Sequence, residues 1–118
     1  MELVVETEKY TQDKSGEIVL LKLRGDFNQE NLHIIEQAVE KVYEQNICKL
    51  IFDFEHVSSI TSSGLGLLIN FIQDPHTQDG IRLINMTSKL RILFDLLGLE
   101  DKLKIMDSKE EAMSSWDA

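Results

Sequence analysis

The sequence predicts a single α/β domain in which a mainly parallel sheet of about five strands is interleaved with helices. From residue 18 onward, short apolar runs typical of buried strands alternate with segments whose apolar residues recur at steps of three and four. The length of 118 residues suits one ordinary domain with its own core. We therefore expect residues 1–118 to form one domain.

The first half of the chain contains three predicted strands and one helix. The first strand is predicted to open at residues 3–5 and to precede a polar turn at residues 11–16, and the next two strands are predicted at residues 17–23 and 49–54. The first two are separated by a short polar turn, so we expect them to be adjacent at one edge of the sheet. Gly25 to Asn28 are expected to break the second strand. The helix follows from apolar residues on one face, with Asn28 as a plausible N-cap. These apolar residues are Leu32, Ile35, Val39 and Val42.

The second half is predicted to alternate in the same way. Helices are expected at residues 63–73 and 88–97, and strands at residues 81–86 and 103–106. Pro75 ends the first of these helices because proline cannot continue it. Thr87 or Ser88 caps the next helix, and Gly98 suits its carboxyl end. A capping-box pattern from Ser108 predicts a final short helix, which Trp116 packs onto the body.

Composition excludes several classes of function. The formal net charge of −9 argues against nucleic acid and anionic membrane as partners, because both repel an acidic surface. The single cysteine, Cys48, allows no internal disulfide and is expected to be a buried, reduced thiol. We find no signal-peptide pattern and no apolar run long enough to span a bilayer. We therefore expect a cytoplasmic protein.

The most informative motif lies at the junction between the third strand and the helix that follows it. Ser62 and Ser63 occupy this junction and are followed by Gly64 and Gly66. Unpaired backbone N–H groups and the positive end of the helix dipole meet there, so an added negative group is tolerated. The glycines leave a patch without side chains, which another protein can approach. Helix capping by a hydroxyl side chain is the structural alternative.

The stretch Val-Ser-Ser-Ile-Thr-Ser-Ser-Gly-Leu-Gly at residues 57–66 resembles the phosphorylation loop of bacterial anti-sigma-factor antagonists, the STAS-domain family. The usual form in that family is Asp-Ser-Ser-Gly-Leu-Gly, whose first serine is the one phosphorylated. The resemblance therefore implies Ser62 as the phosphorylation site of this chain. The resemblance implies a partner-switching cycle. The unphosphorylated protein binds an anti-sigma factor that is also a serine kinase and so frees a sigma factor. The kinase then phosphorylates the serine, and a serine phosphatase removes the phosphate. ATP and magnesium belong to the kinase, so this chain needs no cofactor and is not an enzyme.

The resemblance also assigns residues around the serine. The partner-binding residues would be Asn28, Thr61, Ser63, Gly64 and Gly66. Two of them depart from the family pattern, because Asn28 and Thr61 replace acids. These changes reduce repulsion of a phosphate and weaken recognition by a kinase that expects carboxylates. Asp53 matches a common family acid, and we expect its carboxylate to accept backbone N–H bonds and hold the serine loop.

Two other functions remain open at this point. The replaced acids favour a STAS scaffold or sensor-pathway subunit that is never phosphorylated. A small serine hydrolase would use Ser62 and His56, but the Gly-x-Ser-x-Gly elbow is absent. One cysteine and three separated histidines do not predict a metal site. The apolar residues of the third helix cover more than one face, so part of that helix is a candidate contact surface.

Overall fold

Five strands form one sheet in the order β1-β2-β3-β4-β5. The computed structural model describes residues 3–12, 16–47, 49–74, 80–99 and 103–116. The strands are β1 (Val4–Gln12), β2 (Gly16–Phe27), β3 (Lys49–Ile60), β4 (Ile81–Ile84) and β5 (Ile105–Met106). The helices are α1 (Leu32–Glu44), α2 (Ser62–Gln73), α3 (Ser88–Leu96) and α4 (Lys109–Ser114). The predicted mainly parallel sheet is confirmed, because only the β1–β2 pair is antiparallel among these strands.

The sheet is covered on both faces. Alternate residues of β2 point to opposite sides, as the pleat of a strand requires. Val19, Leu21 and Leu23 join the apolar side chains of α1, α2 and α3 in the main core. Ile18 and Leu20 lie in a second, smaller cluster with α4. The three crossover helices therefore share one face of the sheet, and the last helix covers part of the other.

Two strands extend further than the sequence predicted. The expected break after residue 23 is wrong, since β2 continues to Phe27. Gly25 has a φ of 122°, a conformation that side chains rarely adopt, and the register with β3 shifts on either side of it. β3 likewise continues to Ile60. These extensions carry both strands to the edge where α2 begins.

Several predicted helix ends are confirmed. Thr87 caps α3 by accepting a hydrogen bond from Leu90 N at 3.3 Å, and Gly98 follows that helix with a φ of 69°. Ser108 caps α4 by accepting from Glu111 N at 3.1 Å. Trp116 packs against the second cluster, as expected. The predictions for Cys48 and Pro75 lie outside the described residues. No described helix is long and apolar enough to cross a membrane.

Candidate functional site at the start of α2

The candidate site lies where β3 ends and α2 begins. Ser62 is the first residue of α2 and Ser63 the second, and both are exposed. Within the described part of the chain, neither side chain forms a hydrogen bond or an ion pair. The structure therefore presents two hydroxyl groups without internal partners among the described residues, at the N-terminus of α2.

Thr61 caps α2, so the two serines are not needed for capping. Its backbone is extended, with φ −94° and ψ 170°, and its Oγ1 accepts a hydrogen bond from Gly64 N at 3.3 Å. Its carbonyl accepts the first helical bond, from Leu65 N, at 2.9 Å. This is the geometry that an N-cap residue adopts. Thr61, which stands where the resembling family has an acid, thus serves as the N-cap of α2 in this chain.

Phe27 connects the end of β2 to the start of α2. Its carbonyl accepts hydrogen bonds from Thr61 N at 3.0 Å and from Thr61 Oγ1 at 3.5 Å. Its ring is fully buried beneath the first turn of α2. Sequence reasoning missed this role. The signal that pointed to it is the glycine at residue 64, because a glycine inside a helix is costly and calls for a packing reason.

The two glycines have different roles. A Cβ atom added at Gly64 would contact the ring of Phe27 and lie 2.8 Å from its carbonyl oxygen. Gly64 is also buried, so its lack of a side chain serves internal packing, and its role in partner binding stays a prediction. A Cβ atom added at Gly66 would meet nothing within 4 Å, and this residue is partly exposed. Only Gly66 keeps the open surface that the sequence suggested for both.

Asn28 lies beside the serine loop but does not cap α1. Its Oδ1 accepts a hydrogen bond from Glu30 N at 3.1 Å, and its carbonyl accepts from Asn31 N at 3.0 Å. The N-cap of α1 is Asn31, so the prediction for Asn28 was wrong. Asn31 is almost fully buried, and its Nδ2 donates to Asp26 O at 2.9 Å. This bond holds the β2–α1 loop, which cannot be deduced from local sequence.

A surface depression brings together three of the predicted site residues, Asn28, Thr61 and Ser63. It is lined by Asn28, Gln29, Glu30, Thr61 and Ser63. Ser59 Oγ donates to Asp26 Oδ1 at 3.2 Å and thereby joins the two strands at this edge. Asp26 and Ser59 were not predicted as site residues, since only the long strands of the fold bring them together. The carboxyl ends of β2 and β3 and the first turn of α2 therefore form one continuous surface.

Asp53 supports a different turn from the one predicted. Its Oδ1 accepts hydrogen bonds from Glu55 N at 3.0 Å and from Asn85 Nδ2 at 3.1 Å. Asn85 has a φ of 56° in the turn between β4 and α3. The expected bond to a backbone N–H is present, but the carboxylate holds the turn after β4 rather than the loop of Ser62.

His56 belongs to a separate region. It is exposed and lines a small depression with Arg24 and Glu55, whereas Ser63 lines the depression at the start of α2. No hydrogen bond links His56 to Ser62 in the described chain. The described His, Cys, Asp and Glu side chains form no group of three that could hold a metal ion.

The family assignment rests on most of the chain rather than on the serine motif alone. The sequence model of the STAS domain matches residues 9–112, which is most of the chain. The chain belongs to the STAS family. A Staphylococcus aureus protein named anti-sigma-B factor antagonist is 24% identical over 111 residues, which cover 93% of this chain and 98% of that relative.

Solved STAS structures confirm the fold. An anti-sigma factor antagonist from Mycobacterium paratuberculosis superimposes with a TM-score of 0.78 at 17% identity, covering 98% of this chain and 96% of that one. The Bacillus cell fate determinant SpoIIAA in its phosphorylated form gives a TM-score of 0.64 at 23% identity, covering 93% and 98%. These TM-scores establish a shared fold, and the names of the two proteins describe regulators rather than enzymes.

Proposed function

We propose that this STAS protein is an anti-sigma-factor antagonist. In its unphosphorylated form it binds an anti-sigma factor that is also a serine kinase, and this binding releases a sigma factor in the cytoplasm. The kinase phosphorylates Ser62 with its own ATP and magnesium, and the complex dissociates. A serine phosphatase then restores the hydroxyl. The observation that carries the proposal is the exposed Ser62 hydroxyl, which has no internal hydrogen-bond partner among the described residues.

The first turn of α2 suits a serine that is reversibly phosphorylated. Phosphorylation adds about 1.5–2 negative charges at neutral pH. The dipole and the free N–H groups of the helix N-terminus offset part of this charge, by about 0.3–1 kcal/mol for an exposed group. The cap by Thr61 and the packing of Gly64 on Phe27 do not involve the Ser62 hydroxyl. The domain therefore tolerates the phosphate without refolding.

A bound partner does not tolerate the phosphate in the same way. A surface packed against Ser62 must desolvate the added charge or leave it unpaired, at a cost of about 1–3 kcal/mol or more. Each 1.4 kcal/mol weakens binding about tenfold. The switch then acts at the interface, through steric and electrostatic effects, with little change inside this chain.

A label-transfer experiment tests the proposal. The candidate kinase is incubated with radiolabelled ATP, magnesium and the wild type, Ser62→Ala or Ser63→Ala. We expect Ser62→Ala to abolish incorporation, and Ser63→Ala, the matched control, to reduce it at most. Full incorporation into Ser62→Ala would show that Ser62 is not the phosphorylated residue.

A second candidate is a STAS scaffold that binds partners without being phosphorylated. Asn28 and Thr61 support it, because each stands where the family pattern has an acid and each has a structural hydrogen bond here. Binding of the anti-sigma factor without any incorporation of label would favour the scaffold. Hydrolysis of an acyl ester that is lost in Ser62→Ala would instead indicate an enzyme.

A further inference from the structure

Strand β1 stands at the end of the sheet and leaves one side of its backbone open. It has β2 as a neighbour and no second strand partner among the described residues. Its nine residues contain no proline, and they pair with β2 from Val4 to Gln12 without a bulge. Natural proteins commonly protect a sheet edge by shortening, bulging or covering it, or by placing charged side chains on it. β1 carries the charged residues Glu6, Glu8 and Lys9 but is neither short nor bulged, so it offers a long, regular row of backbone donors and acceptors to a partner of matching charge.

A groove runs along the same strand. It has a volume of about 430 Å³ and separates one face of β1 from α1, and this volume falls within the range of about 300–1,000 Å³ that is usual for binding sites. The apolar residues that line it are Val5, Val19, Ile34, Ala38 and Val42. Side chains of an added strand on this face of the sheet would lie beside these apolar groups.

Polar side chains bound the groove. Lys9 Nζ donates to Gln45 Oε1 at 2.9 Å and so joins β1 to the end of α1. The Lys41 ammonium has no partner in the described part of the chain. On the other face of β1, Glu8 receives a bond from Tyr10 and pairs with Lys22 at 3.1 Å. Glu6 lies on that face too, because side chains alternate along a strand.

The charges of β1 disfavour a second copy of this chain as the occupant. Opposed residues of an antiparallel pair point to the same face, so symmetric pairing must join residues of matching face. The register centred on Glu8 opposes Glu8 to itself. The neighbouring registers oppose either Glu6 to Glu8 or Lys9 to itself. These three registers keep the greatest length of β1 paired, and each places like charges directly opposite, which destabilises a sheet.

We propose that β1 and its groove bind an extended peptide of a partner protein, which adds to the sheet as a further strand. The peptide residues on the groove side are apolar, like the apolar residues that line the groove. The residues across from Glu6 and Glu8 are basic. Addition of a strand to an open sheet edge is a general mode of peptide recognition, in which backbone bonds give affinity and alternate side chains give specificity. This surface is distinct from Ser62, so the inference does not depend on the proposed function.

A synthetic peptide with the repeat Val-Lys-Val-Lys-Val is the probe. We expect it to protect β1 amides from hydrogen exchange in NMR spectra of the full chain. Methylation of alternate backbone nitrogens on the peptide should weaken binding at least about tenfold, since it removes donors to the edge. A Val-Glu-Val-Glu-Val peptide should also bind more weakly, because its acids oppose Glu6 and Glu8.

Two variants test the contributions of the groove and of the charges to peptide binding separately. Ala38→Trp fills the groove and should weaken binding of the Val-Lys peptide. Its matched control is Glu36→Trp, which places the same side chain on an exposed part of α1 that does not line the groove. Glu6→Lys should shift the preference toward the Val-Glu peptide. Unchanged melting temperatures would show that each variant is folded.

Three outcomes would overturn the proposal. The first is the absence of β1 protection at millimolar concentrations of the Val-Lys peptide. The second is equal binding of the methylated and unmodified peptides, which would mean that the backbone edge is not used. The third is protection of β1 without peptide together with dimer formation, which would identify a second copy of the chain as the occupant.

Discussion

The two faces of the sheet use their polar groups in opposite ways. At the start of α2, the hydroxyls of Ser62 and Ser63 are exposed and form no hydrogen bond with described residues. Beneath α4, by contrast, Arg82 is only 1% exposed, and its Nε donates to Ser115 Oγ at 2.7 Å. Its guanidinium also lies 4.5 Å from the centre of the Trp116 ring. The proposed partner surface therefore keeps the hydrogen-bonding capacity of its two serines free, whereas Arg82, Ser115 and Trp116 form an internal clamp that uses its own.

The largest expected effect concerns this clamp. Arg82→Ala should lower the free energy of unfolding by about 2–4 kcal/mol, because it leaves a cavity and removes the partner of Ser115. Arg91→Ala is the control, since Arg91 is exposed and pairs with exposed Asp107, and it should cost at most about 1 kcal/mol. Urea unfolding measures both. Equal costs would show that the buried guanidinium does not stabilise the α4 layer.

The next effect separates the two glycines of α2. Gly64→Ala should destabilise the domain by about 1–3 kcal/mol, since its methyl group collides with Phe27. Gly66→Ala meets open space and should stabilise it by about 0.4–1 kcal/mol through helix propensity. Thermal melting followed by circular dichroism checks both. A neutral Gly64→Ala would show that the interior accommodates the added methyl group beside Phe27.

A smaller effect tests the cap of the site. Thr61→Ala removes the acceptor of the Gly64 N–H bond and should cost about 1 kcal/mol in unfolding free energy. Thr61→Ser keeps the hydroxyl and should retain most of that stability. Ser62→Ala should lie within about 0.5 kcal/mol of the wild type, because its side chain supports nothing internal. A Ser62→Ala cost as large as that of Thr61→Ala would mean that the serine is structural.

The smallest expected effect is a pH dependence of stability that arises from the pair of Glu8 and Lys22, on the face of the sheet that α4 partly covers. The hydrogen bond from Lys22 lowers the pKa of Glu8 below its ordinary value of 4.5, and the pKa of Lys22 is raised above 10.5 for the same reason. The Glu8 contribution is therefore present above pH 4.5 and is lost as pH falls through its lowered pKa. The Lys22 contribution is lost only as pH rises through its raised pKa.

Acid titration of stability in wild type and Glu8→Gln checks this expectation. The wild type should lose slightly more stability below pH 4.5 than the variant. Because both groups are largely exposed, the difference should shrink in high salt. A difference that persists in high salt would indicate a buried interaction instead.

Local sequence predicted features that depend on neighbours along the chain. Each of these features rests on residues within about one helical turn of each other. They are the apolar period of α1, the caps at Thr87 and Ser108, and the turn at Gly98. The motif around Ser62 also placed the site at the strand–helix junction. The lengths of β2 and β3 were underestimated, because pairing between strands continues through polar residues that local propensity assigns to loops.

The sequence by itself determined the order of the elements, the junction that carries Ser62 and the acidic surface. Only the tertiary structure decided that Gly64 packs on Phe27, that Asp53 holds the turn of Asn85, and that Arg82 is buried beneath α4. Each of these contacts joins residues that are distant in sequence. Their energies depend on the close packing of a folded interior, which brings such residues together only after the sheet has formed.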